Sequence, residues 1–225
     1  MQTKRSYQDG CAAAHAMDLI GERWALLVAR EMILGPKRFT DLRAGLPAIS
    51  PNVLTQRLEE LEAASIVLRR KLPPPASTWV YELTPWGREL ESVIMSLGRW
   101  GARSPAVMQG HPMGRDALIL SWRTMFNSEI AGDLNGEIEI RMGEDRFVAR
   151  LDKGHMQLER GSSAAPDAMV EASPDTLVTL AYTGRKLNEA VQAGELRVEG
   201  DKALLKRFFA SFPMPETAPD LSAQS

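Results

Sequence analysis

The stretch LPAISPNVLTQRLEELE, residues 46–62, decides the fold of the first half of the chain. Pro47 ends one helical segment, and after a turn through Ala48 and Ile49 the pair Ser50-Pro51 has the form of an N-cap followed by proline at the first helical position. That pair predicts a helix from Pro51 to about Ala63. At ~100° per residue, Leu54, Leu58 and Leu61 fall within about 60° of one another and form its buried seam. Asn52, Thr55, Gln56 and Glu59 cluster on the other face. The first three carry short or amide side chains that can donate and accept hydrogen bonds at base edges. Arg57, at the flank, suits phosphate or guanine. A major-groove recognition helix needs such groups in its first two turns, because its N-terminal end enters the groove. Read alone, the same face equally fits the solvated side of an ordinary helix.

The flanking segments weigh on that choice. Upstream, a helix beginning near Glu22 carries Trp24, Leu27, Val28 and Met32 on one stripe until Gly35-Pro36 stops it. A short helix over 40–45, capped by Thr40, turns Phe39, Leu42 and Leu46 inward. Lys37 and Arg38 precede it at the edge that would face the DNA backbone. Downstream, VLRRKL (67–72) and TWVYEL (78–83) read as strands joined by PPPAS, a hairpin wing. Arg69, Arg70 and Lys71 on its first strand can neutralise phosphates and release counterions. Short helix, turn, recognition-type helix and cationic hairpin together predict a winged helix-turn-helix. Thr84-Pro85 then opens a helix with Leu90, Val93, Ile94, Leu97 and Trp100 on one apolar stripe. Such a stripe on a peripheral helix suggests a matching helix from a second subunit; covering its own domain is the alternative.

Composition bounds the rest. With 225 residues, 44% apolar and 25% charged, the chain has the proportions of a folded protein of one or two domains. No apolar run approaches the ~18 residues of a membrane span, and a cytoplasmic location is expected. A single cysteine, Cys11, excludes an intrachain disulfide, and His15, His111 and His155 have no metal-ligand spacing. No nucleophile elbow, phosphate loop or catalytic triad signature is present, which favours binding over catalysis; no enzyme activity and no cofactor are expected. Residues 1–104 hold 14 Lys/Arg against 11 Asp/Glu (+3), and residues 105–225 hold 13 against 18 (−5). The asymmetry suggests separate tasks, only one of them suited to a polyanion.

The proline- and glycine-containing stretch 105–114 reads as a linker between domains over 1–104 and 115–215, and 216–225 as a flexible tail. In the second domain a helix over 116–129 carries Leu118, Trp122, Met125 and Phe126. Strands follow at 137–142, 146–152, 155–160 and 168–172, the first three alternating so that one face is wet. Helices start at Ser173-Pro174 and after Gly184, ELRVE forms a short strand, and 201–212 a last helix.

The first 104 residues resemble the HxlR family of bacterial winged helix-turn-helix regulators, relatives of MarR-type proteins. Cys11, GERWALLVAREMILGPKRFTDL (21–42), the 46–62 segment, the wing and YELTPWGREL (81–90) carry the resemblance. It implies a homodimer on a palindrome-like site of double-stranded DNA, with recognition contacts on Ser50, Pro51, Asn52, Thr55, Gln56 and Arg57 and wing contacts on Arg69, Arg70 and Lys71. Ser65 stands where the family usually has glycine, and the three-proline wing is unusual. A cysteine near position 11 senses oxidants in some relatives, which needs an exposed thiol of lowered pKa; a quiet structural thiol is the other reading.

The order helix, four strands, helices, strand, helix, closed by GELRVEGDKALLKRFFASF (194–212), looks like the sterol carrier protein type 2 fold. The whole is then α+β, a winged helix-turn-helix followed by a mostly antiparallel sheet covered by helices. The likeness implies an apolar pocket for a lipid-like ligand, with Trp122, Met125, Phe126, Phe147, Met156, Leu177, Leu180, Phe208 and Phe209 as candidate lining. The same spacings also fit plain sheet-helix packing. A dimeric, DNA-binding transcriptional regulator modulated by a small apolar ligand is the leading expectation. A lipid carrier with a protein-docking winged domain, and a redox sensor through Cys11, are the alternatives.

Overall fold

A computed structural model describes residues 6–106 and 111–220. It contains two compact units, Met1–Ile94 and Met95–Ser225. The chain passes from one to the other inside a helix, ahead of the stretch read as a linker, part of which (107–110) lies outside the described residues. The early division has a cause: beyond residue 95 that helix is bonded within the second unit, Arg99 donating to the carbonyl of Thr124 and Arg103 to that of Glu216. The amide of Ala218 returns a bond to the Arg103 carbonyl at 2.7 Å, so 216–218 is tied down; 221–225 lie outside the described residues.

The first unit runs α1 (Ala12–Ile20), α2 (Ala25–Glu31), α3 (Phe39–Gly45), α4 (Pro51–Ala63), β1 (Val67–Lys71), β2 (Trp79–Leu83), α5 (Pro85–Arg88) and the start of α6 (Leu90–Ala102). Leu54, Leu58 and Leu61 of α4 are buried with Val28, Ala29 and Met32 of α2 and its C-cap, Leu42 of α3, and Val67 and Leu83 of the hairpin. Ser50 caps α4, its hydroxyl accepting from the Val53 amide at 3.3 Å, with Pro51 in the first turn as predicted. Three local expectations need correction. Trp24, at φ +80°, breaks the run from Glu22, so α2 starts at Ala25. Arg38 rather than Thr40 occupies the N-cap of α3, its amide donating to Asp41 at 3.1 Å. The helix opened by Thr84-Pro85 is interrupted at Glu89, which separates α5 from α6.

One turn joins α4 to the wing and to α5. Ser65 takes φ +59°, and Ile66 donates back to the Leu61 carbonyl at 2.9 Å, closing α4. Thr84 clamps this turn: its hydroxyl donates to the Ser65 carbonyl at 2.8 Å and accepts from Gly87 N–H at 2.9 Å, and its amide donates to the Ile66 carbonyl at 3.0 Å. Gly87 is required here because a Cβ would lie 2.0 Å from the Ile66 carbonyl oxygen.

The second unit continues α6 and adds α7 (Arg115–Met125), α8 (Ser128–Ala131), β3 (Gly136–Met142), β4 (Asp145–Asp152), β5 (His155–Arg160), β6 (Ala168–Ala172), α9 (Pro174–Tyr182), α10 (Leu187–Gln192), β7 (Leu196–Gly200) and α11 (Lys202–Ala210). The strands form one sheet in the order β5-β4-β3-β6-β7, antiparallel except for the central β3–β6 pair. That pairing makes the 161–167 connection cross β4 and β3, and it covers a face expected to be wet. Glu139 and its cross-strand partner Val148 are each 1% exposed. Burial works against the Glu139 carboxylate, yet the Ser163 amide at 2.9 Å and Arg141 at 2.6 Å hold its pKa below the ordinary value. On the other side, Trp122 of α7 stacks on Phe212 at 5.3 Å and meets Phe208 and Phe209 edge-on at 5.5 and 5.8 Å.

A left-handed conformation strains any residue with a Cβ, and glycine relieves that strain at some expense in unfolded-state entropy. Ser65→Gly should therefore raise the urea midpoint of the first unit by an amount worth about 0.5–1 kcal/mol; a lowered midpoint would mean that the serine side chain itself holds the turn.

Candidate functional site

On α4, Pro51, Asn52, Thr55 and Gln56 are all exposed, a continuous polar surface at the N-terminal end of the helix. Their exposure follows from the leucine seam, which turns this face outward. The Gln56 amide nitrogen donates to Glu60 at 3.0 Å, which holds the side chain along the helix while its oxygen stays available. Ser50 is committed to its cap. Arg57 departs from the expectation: it is 8% exposed and bonded to Glu60, with Glu22 at 3.9 Å. It lies about 40° from Leu61 on the helical wheel, so it packs beside the seam, bonded to Glu60 of its own helix, and is turned away from the exposed polar face.

The wing also divides its cations. Register pairs Arg69 with Tyr81 and Lys71 with Trp79, and alternation puts Arg70 on the opposite face. There Arg70 bonds Glu82 at 2.8 Å, which raises the pKa of the arginine and lowers that of the glutamate. Arg69 lies 4.8 Å above the Trp79 ring and 5.8 Å from that of Tyr81, a stacked cation on the exposed side of the ribbon. Lys71 is exposed beside it. Arg70 is thus removed from the set of three projecting cations. Lys37 pairs in both directions with Tyr81 (2.9 and 2.8 Å), adding a third segment to the ribbon and placing Arg38, exposed, next to it. Arg43 on α3 and Arg88 on α5 are exposed cations that the sequence reading passed over; their signal was an amphipathic short helix with a basic last turn.

The α6 stripe splits in two. Leu90 and Ile94 pack on the core of the first unit, whereas Val93, Leu97 and Trp100 stay open, Trp100 at 77% exposure. Cys11 is exposed at the N-cap of α1, and the backbone N–H groups of Ala13 and Ala14 in the first turn lower its pKa. Among the described residues no cluster of three His, Cys, Asp or Glu side chains could hold a metal, and no helix is long and apolar enough to cross a membrane.

In the second unit, α9, α10, α11 and residues 212–214 surround a cavity of about 660 Å³, within the range of small-molecule sites. Of the expected lining residues it brings together Leu180 and Phe209. Met125 and Phe126 border a separate hollow with Arg99. Trp122, Phe147, Leu177 and Phe208 are core, fully buried, and Met156 lies half-buried on β5. The cavity also gathers Tyr182, Lys186, Lys202, Lys206, Phe212 and Met214, none of them singled out from sequence. Tyr182 bonds Ser121 at 2.6 Å, and burial pushes its phenol up to about 12.

Residues 19–107 match the family model of the HxlR-like helix-turn-helix, and residues 115–218 that of the alkyl sulfatase C-terminal region. The HTH-type transcriptional regulator YybR of Bacillus subtilis is 35% identical over 107 residues, 46% of this chain and 83% of the relative. YodB, an HTH-type transcriptional regulator of the same organism, is 38% identical over 85 residues, 38% of this chain and 76% of the relative. A solved structure of the redox regulator HypR in its oxidized form is 35% identical and spans 43% of this chain and all of its own, with a TM-score of 0.40. With its capped recognition-type helix, stacked cationic wing and these relatives matched over most of their length, the chain belongs to the HxlR-like helix-turn-helix family of transcriptional regulators.

Proposed function

We propose that residues 1–104 read a two-fold symmetric DNA site as a homodimer and that residues 115–215 form a sterol-carrier-like module whose apolar ligand adjusts that dimer. The observation that carries the DNA reading is the exposed Asn52, Thr55 and Gln56 surface on the first two turns of α4, flanked by the cationic ribbon. Neutral amides and a hydroxyl discriminate bases; Arg38, Arg69 and Lys71 supply the salt-dependent attraction to phosphates. A two-fold dimer sets two such helices roughly 34 Å apart, one helical turn of DNA. The open half of the α6 stripe, Val93, Leu97 and Trp100, supports a self-complementary helix contact.

Ligand control has a physical route. Phe212, Pro213 and Met214 wall the cavity, and the same strand of chain continues to Glu216 and Ala218, which are hydrogen-bonded to Arg103 one residue past α6. A ligand that prefers one position of this strap biases the helix bearing Leu97 and Trp100, and a preference of about 1–3 kcal/mol is enough for measurable coupling. Binding, with no catalysis, is the role assigned to this module. A second reading has its own observation: exposed Cys11, with its lowered pKa, suits oxidant sensing at the same dimer.

Three outcomes follow. On duplexes selected from a random library, Asn52→Ala with Gln56→Ala should lose about 1–3 kcal/mol of discrimination per contact while non-specific binding persists; retained selection of the same duplex would overturn the recognition surface. Leu97→Glu should shift the protein to a monomer in light scattering and weaken binding to the full site, and an unchanged dimer would refute the α6 contact. Cys11→Ser should abolish any peroxide-induced change in DNA affinity under the redox reading, and an undiminished response would eliminate it.

A further inference from the structure

We propose that Arg23, stacked on Trp24 at the turn into α2, is a phosphate contact of the DNA surface, separate from the recognition helix and from the wing. The inference rests on the DNA reading of the first unit and adds to it a residue outside the short helix, recognition helix and hairpin. The Arg23 guanidinium lies 5.4 Å from the centre of the Trp24 ring, within the range of a cation–π contact, and Arg23 is exposed. Among the described residues it has no ion pair. Its neighbour Glu22 approaches Arg57 instead, at 3.9 Å, and Glu60 bonds both Arg57 and Gln56. This chain of contacts runs from the exposed amide of Gln56 through Glu60 and Arg57 to Glu22. The turn that carries Arg23 therefore borders the polar face of α4.

Two features suit the turn to an anion. Trp24 stands at φ +80°, a left-handed conformation that is unfavourable for any side chain with a Cβ and rare for a bulky one. Successive side chains diverge by about 100° on a helix and by about 180° on a strand; at this left-handed turn the two neighbours lie together. The half-buried ring packs against the core of the first unit, so it is a fixed platform for the guanidinium. Stacking also leaves the N–H donors at the guanidinium edge free, whereas a carboxylate partner occupies them. Arg30, Arg57 and Arg70 are each held by a glutamate, but Arg23 and Arg69 are each stacked on aromatic rings with no ion pair among the described residues. An arginine fixed on a ring has given up part of its rotamer freedom before it meets an anion, and its fork matches two phosphate oxygens. The contact carries no sequence information, since every duplex offers the same phosphates.

The test uses the full chain and a duplex selected from a random library, with fluorescence anisotropy measured over a series of KCl concentrations. Arg23→Ala should weaken binding to selected and unrelated duplexes alike, by about three- to ten-fold, and reduce the slope of log affinity against log salt by about 1 per protomer. Base selection and the melting midpoint should stay as they are. Arg23→Lys should recover the slope and part of the affinity, because the charge returns without the planar fork. Replacing single phosphates of the selected duplex with neutral methylphosphonates then locates the contact: at one symmetry-related pair of positions the wild-type protein should lose affinity and Arg23→Ala should not. An unchanged salt slope in Arg23→Ala, or the absence of any position to which that variant alone is indifferent, would overturn the proposal. A lowered melting midpoint with altered base selection would make the arginine a support for Trp24 and overturn it as well. If the wild-type protein selects no duplex, or binds DNA with an affinity that ignores salt, the DNA reading itself falls and the Arg23 contact with it.

Discussion

The clamp of Thr84 on the Ser65–Ile66 turn is the constraint on which the first unit depends. Three elements meet there: the end of α4, the start of the wing and the first turn of α5. Because one threonine satisfies groups from all three, the angle at which the ribbon leaves the recognition helix is set by hydrogen bonds and does not depend on packing alone. Gly87 lets α5 approach to backbone contact, and Lys37 stitches the ribbon to the segment before α3. The surface proposed to meet a duplex is thereby built on hydrogen-bonded neighbours, and on that reading its side chains need only their own rotamers ordered on binding.

Charge is distributed with the same economy. Of the cations expected at the candidate DNA surface, Arg57 and Arg70 are bonded to carboxylates of the same unit, and Arg69 is stacked on aromatic rings. The exposed side chains on the first two turns of α4, Asn52, Thr55 and Gln56, are uncharged. In the second unit most arginines are paired with carboxylates, and three of its four lysines, Lys186, Lys202 and Lys206, line one cavity.

Much of this was legible in the chain. The Ser50-Pro51 signature located the start of α4 to the residue, and alternation located the four strands of the second unit within a residue or two. What escaped had physical reasons. α1 is alanine-rich and sends only Ile20 fully into the core, so it shows propensity without a stripe. The burial of Arg57 brings it within 3.9 Å of Glu22, distant in sequence, and a helical wheel shows neighbourhood but no partner. Glu139 looked solvent-facing because alternation cannot reveal that a later crossover will lie on top of it. The cavity escaped for a related reason: lysines at i and i+4 resemble any wet helix face until α10 and the 212–214 segment are brought opposite them.

The burial of Arg57 has one more effect. The residues buried along α4 and the residues that face outward from it are different residues. Asn52 and Thr55 hold nothing together, so exchanging them leaves the scaffold's stability nearly untouched. On the proposed DNA reading, duplicated copies of such a chain can drift to new target sequences one surface residue at a time, without first acquiring compensating changes in the interior.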